Sequence, residues 1–351
     1  MNVMEVLLSL PQKDLQNLLE TMKVDSNVRS RQHCIELIIR SLSNHEERYN
    51  RYRRFSKGEQ QLVTQMSFDL RDCVNRYELQ GFLTPGERAG FSNTLRALEN
   101  GGWFFKIGRD TWTMPEELKQ RVRKWLLAII EEERVIIPGD QDASLSIIDD
   151  LYTFMDCVEE KGFILTKQKT LRKNDLAKLQ QSFTVRESLP EEQWRFGYGR
   201  HFYHYPNRFS LLYDVCFDEG WIRESNSLEV DSPRWIEAQK LSVTSVLTRV
   251  LQTYLNQYRR AIPKLPFIFK LLYHLLKTSN TAVSEEGIIK TVSPFIEPYY
   301  YDDVEAIIRE RILTMLRDMH VFHIVQIGNE QFYCLSALQR KSTPFSIKNF
   351  S

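Results

Sequence analysis

The chain has 351 residues, a length that predicts two or three domains. It carries 47 Lys and Arg against 46 Asp and Glu, so its formal net charge is +1. This balance argues against a nucleic-acid binder that depends on a global excess of positive charge, but it is compatible with one local basic face. Its 42% hydrophobic and 26% charged residues provide enough apolar material for folded cores and exclude a disordered chain.

The cysteines and the apolar stretches indicate the compartment. The cysteines are scattered along the chain and odd in number, so we expect buried thiols rather than a disulfide framework or a zinc site. They are Cys34, Cys73, Cys157, Cys216 and Cys334. Segment 1–11 has no basic leader, and the apolar stretch 262–276 is interrupted by charges and is shorter than the ~20 residues that a membrane span needs. We therefore expect a cytoplasmic protein that does not contact a membrane.

Helical periodicity dominates the chain from its start. Leucines and isoleucines spaced by three and four residues predict two short helices within residues 1–43, joined by a polar turn at 25–27. Two such helices barely bury a core, so we expect them to pack on another part of the chain. The polar and basic segment 44–57 predicts a linker or an exposed helix.

The next helix has strong local signals at both ends. Thr84 to Glu87 match a capping box with proline at the first helical position, and two glycines at 101–102 end the helix. Aromatic and β-branched residues on both sides of Gly108 then predict a β-hairpin over residues 103–114.

This unit of a helix followed by a hairpin recurs in the sequence. The other predicted hairpins lie at 163–171, 221–230 and 321–335, and three of the four units join helix to strand through a glycine and an aromatic residue. A bundle of about three helices closed by a hairpin is the winged-helix form of the helix-turn-helix. A long amphipathic helix is predicted over residues 243–258.

The predicted fold class is therefore mainly α with small β-hairpin wings (α+β), in tandem winged-helix modules joined by helices. We predict an N-terminal helical segment at 1–50 and a winged-helix-like domain at 51–140. A helical and hairpin domain follows at 141–262, and a C-terminal winged helix at 263–351.

The middle of the chain resembles a known family. The segment 163–166 (FILT) with 171–179 (LRKNDLAKL) is similar to the XPB/Ssl2-like helicase N-terminal domain family, in which a hairpin precedes an "LRKxDLxxL" helix. Residues 211–236, with Gly220-Trp221 and a closing Trp235, look like the next helix and hairpin of that family. The resemblance implies an accessory in a helicase-associated or DNA-repair setting, without the motor domains.

Motifs of the common catalytic sites are not found in the sequence. There is no Gly-x-x-x-x-Gly-Lys-Ser/Thr loop to hold phosphates, no Gly-x-Ser-x-Gly and no His-Glu-x-x-His. We therefore expect no cofactor, no metal and no small-molecule substrate, and we predict that the protein is not an enzyme. An active site assembled from distant residues stays an alternative, because catalytic groups converge in space rather than in sequence.

The first candidate nucleic-acid site lies on the well-marked helix at 85–100. Arg88, Ser92 and Arg96 recur every four residues and so share one stripe, turned away from the apolar positions. Arginine and small hydroxyl side chains on such a helix suit phosphates and base edges in a major groove, and Arg109 at the hairpin tip is placed to reach a neighbouring phosphate. The alternative is an ordinary exposed face, because winged helices also serve as protein-docking modules.

A second candidate is a basic cluster at a predicted hairpin tip and helix start. It comprises Lys167, Lys169, Arg172 and Lys173. These charges could follow a nucleic-acid backbone without sequence preference, and a solvated loop is the alternative.

The third candidate is the aromatic and basic segment 194–209, whose rings could stack on unpaired bases. A lid of aromatic residues over a core, or a partner-binding loop, is the reading that we favour for it. The histidine pairs at 201 and 204 and at 320 and 323 lack a third ligand at suitable spacing, so we expect ordinary histidines.

The last predicted helix points away from DNA binding. The helix has four acidic residues, at 302, 303, 305 and 310, and only two basic ones, Arg309 and Arg311. A surface with this excess of negative charge repels phosphates. The sequence thus favours a non-enzymatic winged-helix accessory protein that acts at DNA through local basic contacts. The alternative is a protein–protein adaptor. DNA, and a helicase or another protein, are the expected partners.

Overall fold

A computed structural model describes residues 1–22, 24, 30–137, 146–190 and 199–336 of the chain. These residues are mainly helical, with three small antiparallel sheets. This agrees with the predicted mainly α, α+β class. The turn predicted at 25–27 lies outside the described residues.

The helices follow one another along the chain with short connections. The α-helices are α1 (Val3–Ser9), α2 (Gln12–Thr21), α3 (Arg31–Leu42), α4 (His45–Arg53), α5 (Lys57–Phe68), α6 (Arg76–Phe82), α7 (Phe91–Asn100), α8 (Glu116–Ile129), α9 (Ser146–Lys161), α10 (Lys173–Ser182), α11 (Asn207–Asp218), α12 (Ser232–Gln239), α13 (Val243–Tyr258), α14 (Leu265–Leu276), α15 (Glu285–Val292), α16 (Val304–Ala306) and α17 (Thr314–Asp318). Short 3₁₀ segments cover Pro85–Gly90, Glu131–Glu133 and Ser293–Phe295, and a π-helical segment, Ile307–Leu313, joins α16 to α17.

The strands are short and pair only in antiparallel fashion. They are β1 (Val74–Asn75), β2 (Phe105–Lys106), β3 (Thr111–Thr113), β4 (Arg134–Ile136), β5 (Phe163–Ile164), β6 (Ile222–Glu224), β7 (Ser227–Val230), β8 (Thr281–Ser284), β9 (Phe322–Ile327) and β10 (Glu330–Leu335). Their orders in the three sheets are β1-β3-β2, β5-β7-β6 and β4-β8-β10-β9.

The chain divides into two compact units. Unit 1 comprises Met1–Arg134 and Glu286–Glu297, and unit 2 comprises Val135–Glu285 and Pro298–Ser351. The division into four domains that the sequence suggested stays a prediction.

Unit 1 is built around helix α5, which is buried along nearly its whole length. A capping box between Ser56 and Glu59 starts this helix. Leu62, Val63 and Met66 are fully buried within it. The N-terminal helices pack on this unit as expected, since the amide of Val3 donates to the carboxylate of Glu117 on α8 over 3.0 Å.

The segment predicted as a linker or an exposed helix is helix α4, and one basic side chain of it lies inside unit 1. The guanidinium of Arg48 is 4.0 Å from the centre of the Trp103 ring and donates to the carbonyls of Gly101 and Gly102, each over 3.1 Å. Gly101 and Gly102 directly follow the last residue of α7, where no donor of the helix reaches their carbonyls. Arg48 supplies this donor and therefore caps the helix. Burial lowers the pKa of Arg48 to about 9.

The start of the helix predicted at 85–100 differs from the sequence expectation. Thr84 makes no side-chain capping bond; its hydroxyl instead accepts a hydrogen bond from the Gln61 amide over 3.1 Å. The first turns, Pro85–Gly90, are a 3₁₀ helix, and the α-helix begins at Phe91. The capping box was therefore wrong, because a buried glutamine on α5 competes for the threonine hydroxyl.

The hairpin predicted at 103–114 is confirmed as strands β2 and β3. Phe105 lies opposite Thr113, and on the other side of β3 Val74 of β1 lies opposite Trp112. Helix α6 lies between β1 and the 3₁₀ segment of this stretch. Leu70 lies before it and is 79% exposed.

In unit 2, helices α9, α10 and α11 accompany the sheet β5-β7-β6. The hairpin predicted at 221–230 is confirmed, with Ile222 opposite Val230. The hairpin predicted at 163–171 was wrong. Strand β5 pairs instead with β7, Phe163 lying opposite Leu228, and the chain after it turns directly into α10. A distant strand offered a longer hydrogen-bonded ladder than the local turn could.

The remaining elements of unit 2 follow the sequence closely. Helix α13 has the predicted bounds of the long amphipathic helix and buries its apolar face. The hairpin predicted at 321–335 is confirmed as β9 and β10, which turn at Gly328 with φ of +60°. Among the cysteines, Cys34, Cys216 and Cys334 are buried as expected, whereas Cys73 is exposed and Cys157 is half-buried. No helix of the described residues is both long and apolar enough to cross a membrane.

Candidate nucleic-acid interface

Helix α7 presents a polar face to solvent in unit 1. Phe91, Leu95 and Leu98 point into the core, while Ser92 and Arg96 are exposed on the opposite side. Both predicted residues are therefore available on one helix face. The alternation arises because apolar residues recur at the helical period and leave the other positions to water.

Arg88, Arg96 and Arg109 are exposed cations, and Glu87 and Asp110 are acids next to two of them in the chain. None of the three forms an ion pair with a residue that the structure describes. Arg88 lies in the 3₁₀ segment before α7, and Arg109 lies in the turn between β2 and β3. An uncommitted guanidinium on a helix or hairpin tip can take a phosphate oxygen or a base edge without first breaking a salt bridge.

Arg76 is a member of this surface that the sequence analysis missed. The first residue of α6, it donates to the hydroxyl of Ser92 over 2.9 Å, and its guanidinium lies 5.1 Å from the centre of the Phe91 ring. The Ser92 hydroxyl is thus already an acceptor. The only sequence signal was an arginine directly after the capping residue Asn75.

The tip of the β2–β3 hairpin borders a groove of about 750 Å³ against α2. Lys106 and Arg109 line one side of it, and the acids Asp14 and Glu99 line it as well. The indole of Trp112 donates to Glu99 over 2.6 Å, which fixes that carboxylate near the hairpin. The groove is of mixed charge and carries no preference for an anion.

The second basic cluster lies between β5 and α10 of unit 2. Lys167, Lys169, Arg172 and Lys173 are all exposed, as expected, but they occupy a turn and a helix start rather than a hairpin tip. The ammonium of Lys169 donates to the carbonyl of Ser225. This hydrogen bond helps to hold the turn in place. The backbone at Lys169 is left-handed, with φ of +61°.

The described part of the aromatic segment 194–209 is divided between a buried end, which contains Tyr205 and Phe209, and a more exposed beginning. Residues 194–198 are outside the described residues. The hydroxyl of Tyr205 accepts the amide of Leu171 over 2.8 Å, and the rings of Tyr205 and Phe209 meet edge to face, 5.0 Å apart. Tyr203, at 53%, and His204 are the exposed rings among the described residues of the segment.

The histidines of the two predicted pairs make ordinary contacts. His201 lies 3.2 Å from Glu224, which also accepts from Tyr213 over 2.8 Å. The Nε2 atom of His320 lies 2.5 Å from the hydroxyl of Ser146. Within the described ranges, no group of three or more His, Cys, Asp or Glu side chains is arranged to hold a metal ion.

Unit 2 also contains buried charges that hold its interior together. Arg208 and Asp150 are 1% and 0% exposed and form an ion pair of 2.5 Å. Asp150 further accepts the amides of Thr184 and Val185. Burial raises the pKa of a different carboxyl, that of Asp214, to about 7.

Helix α11 corresponds in chain order to α7 but is not exposed. Its residues from Arg208 to Cys216 are all buried. Helix α13 covers it, since the Gln257 amide donates to Asp214 over 2.7 Å and Arg249 pairs with Glu219. No face of α11 is therefore free to enter a groove of DNA.

The arginines of the last helical stretch, from α16 to α17, form ion pairs with nearby acids. Arg309 pairs with Glu285 at 2.7 Å and with Glu305 at 3.0 Å. Arg311 is nearly buried and pairs with Asp302 at 3.0 Å. This arrangement agrees with the sequence expectation that the last helix does not attract phosphates.

Comparisons with known proteins leave the family open. No protein-family model matches this sequence, and no curated protein is significantly similar to it. The resemblance to the helicase N-terminal domain therefore stays a prediction.

Proposed function

We propose that the chain is a non-enzymatic, tandem winged-helix accessory protein that acts at DNA in a helicase-associated setting. The contact is made by α7 and the β2–β3 hairpin of unit 1. The observation that carries the proposal is the set of exposed cations Arg88, Arg96 and Arg109, none of which forms an ion pair within the described residues.

The repeated element order supports the winged-helix part of the proposal. Three times the chain runs helix, strand, two helices and two strands: from α5 to β3, from α9 to β7, and from α14 to β10, where α16, the π-helical segment and α17 are counted as one helix. Each time the first strand pairs with the third, which pairs with the second. In a winged helix, the helix before the hairpin lies in the major groove and the hairpin reaches the adjacent backbone.

The chemistry of the α7 face supports DNA rather than a generic partner. Arginine binds phosphate and guanine with a planar fork of donors, and the exposed Asn93 adds an amide that suits an adenine edge. Such contacts gain affinity by releasing counterions, so binding weakens steeply as salt rises. The near-zero net charge of the chain does not prevent DNA binding, because only the α7 face contacts the DNA backbone.

A second candidate function, a protein–protein adaptor, is favoured by a different observation. Helix α11 is buried beneath α13, and Arg309 and Arg311 of the last helical stretch are held in ion pairs. The second and third repeats therefore lack the exposed basic helix of the first. We assign them to scaffolding or to protein contacts, with a helicase as one such partner.

The test is a fluorescence-anisotropy titration of the full chain with a duplex and with single-stranded DNA across a salt series. Arg96→Glu should weaken duplex binding at least tenfold and lower the salt slope. Lys124→Glu is the matched control, because Lys124 is an exposed cation on α8. Binding that is absent, or that is equally strong in both variants, would remove the DNA function and leave the adaptor.

A further inference from the structure

A cationic cleft in unit 2 lies beside the edge strand β5, apart from the surface described for DNA. It measures about 370 Å³ and lies between the end of α9, the strand β5 and helix α10. Phe163 and Leu179 form part of its floor and are buried. The sequence analysis had placed one of its residues, Arg172, in the second basic cluster.

Among the residues that the structure describes, no strand pairs with β5 on the side away from β7. In the ladder, Leu165 donates its amide to the carbonyl of Asn226 over 3.0 Å, and Phe163 lies opposite Leu228. Because hydrogen bonding alternates along an antiparallel pair, the intervening Ile164 directs its amide and carbonyl to the other side. Strand β5 is the edge of its sheet, and the Ile164 side chain is 57% exposed.

Among the charged residues that line the cleft, cations outnumber acids. Lys161, Arg172 and Lys178 line it together with a single acid, Asp175. None of these three cations forms an ion pair with a residue in the described part of the chain. An unpaired edge strand flanked by an excess of positive charge favours an extended chain that brings carboxylates.

We propose that this cleft binds an extended acidic peptide segment of a partner protein, which adds as a strand to the edge of β5. The partner backbone pairs with the amide and carbonyl of Ile164. Its carboxylates meet Lys161, Arg172 and Lys178, and an apolar side chain fills the floor over Phe163 and Leu179. The middle repeat thus has a binding site of its own although its helix α11 is covered.

The dimensions favour a peptide over a nucleic acid at this place. A cleft of about 370 Å³ takes one extended chain. A duplex meets proteins through grooves about 6 to 12 Å wide and needs a protruding element rather than a recess. The exposed edge also offers backbone hydrogen bonds, which a peptide can complete in both directions and a phosphodiester cannot.

The test uses a fluorescein-labelled peptide of about eight residues, long enough to span the short strand, in which Glu and Val alternate. Anisotropy of the full chain should show saturable binding that is reduced at least tenfold in the double variant Lys161→Glu, Lys178→Glu. Lys167→Glu is the matched control, because Lys167 is an exposed cation of the neighbouring turn that does not line the cleft. A peptide with Lys in place of Glu should not bind.

Strand addition has its own signature. N-methylation of alternate peptide residues, in the register that pairs with Ile164, should abolish binding, whereas methylation in the other register should not. This contrast does not depend on folding of a protein variant. Equal effects of both registers would contradict strand addition.

Other outcomes of these titrations would overturn the peptide-binding proposal. Absence of peptide binding at millimolar concentration, or binding that the double variant leaves unchanged, overturns the proposal. Loss of duplex binding in the double variant, with no peptide binding by the wild-type protein, assigns the cleft to nucleic acid instead. Arg96→Glu should leave peptide binding unchanged, so that failure of this proposal and failure of the DNA function are distinguishable.

Discussion

The guanidinium of Arg76 donates a hydrogen bond of 2.9 Å to the hydroxyl of Ser92 and lies over the ring of Phe91. This contact ties the first residue of α6 to the exposed face of α7. It places an additional cation beside Arg96. The Ser92 hydroxyl, which the sequence suggested for a base edge, already accepts this hydrogen bond. A side chain outside the predicted stripe therefore completes the charge of the surface.

The first prediction concerns this pair. Arg76→Ala removes a cation from the proposed interface, so the duplex dissociation constant should rise about tenfold and the slope of its dependence on salt should fall by about 1. Ser92→Ala keeps the cation and should change affinity by about threefold or less. Anisotropy across a salt series measures both. A larger loss in Ser92→Ala than in Arg76→Ala would show that the hydroxyl itself contacts DNA.

The second prediction concerns Arg48 in the interior of unit 1. Arg48→Leu leaves the carbonyls of Gly101 and Gly102 without their donor and should lower the free energy of unfolding by about 2–4 kcal/mol. Urea unfolding followed by tryptophan fluorescence measures the loss. Arg54→Leu, at an exposed position after the same helix, should change it by about 0.5 kcal/mol or less. Equal stability of the two variants would remove the capping role of Arg48.

The third prediction concerns the buried ion pair of unit 2. Asp150→Ala leaves the guanidinium of Arg208 buried without its carboxylate and also removes the acceptor of two backbone amides. We expect a loss of about 3–5 kcal/mol in the free energy of unfolding. Asp149→Ala, at the exposed neighbouring position, serves as the control. Equal free energies of unfolding for Asp150→Ala and Asp149→Ala would contradict the stabilising role of the buried ion pair.

The fourth prediction is a pH dependence caused by Asp214. Burial raises the pKa of its carboxyl to about 7, although the Arg200 amide and the Gln257 side chain donate hydrogen bonds to it. The unfolded chain releases this proton near pH ~4, so between the two values the folded state holds a proton that the unfolded state has lost. The stability from Asp214 is therefore complete below about pH 4 and is lost as the pH rises through 7.

We expect Asp214→Asn to gain about 2–3 kcal/mol relative to the wild-type protein between pH 5 and pH 8. Urea unfolding at both pH values, followed by the buried Trp221 and Trp235 of the same unit, measures the change. Asp175→Asn, at a half-buried position on α10, should show a much smaller difference. A gain that does not depend on pH would point to packing rather than to the proton.

Local sequence signals predicted much of the fold. The spacing of apolar residues gave the bounds of α13, and Gly108 and Gly328 marked the turns of two hairpins, because periodicity and turn chemistry depend on neighbours in the chain. The hairpin at 163–171 failed for the opposite reason. Its first strand had a better partner in β7, and no local pattern shows a distant ladder.

The candidate site was predicted only in part. Arg88 and Arg96 were selected by their helical spacing, and Arg109 by the predicted hairpin turn. Arg76 was missed, since its link to Ser92 joins two helices. The sequence did not indicate that Lys161 and Lys178 line one cleft, because they lie on different helices and only the tertiary structure brings them together.

By itself, the sequence determined that the chain is mainly helical and where three of the four predicted hairpins form. Only the tertiary structure decided which repeat exposes its helix before the hairpin. Helices α7 and α11 occupy equivalent places in the chain, yet α7 keeps a face in solvent while α11 lies under α13. The physical reason is that burial of a helix face depends on which distant element packs against it, and that choice minimises exposed apolar surface over the whole unit.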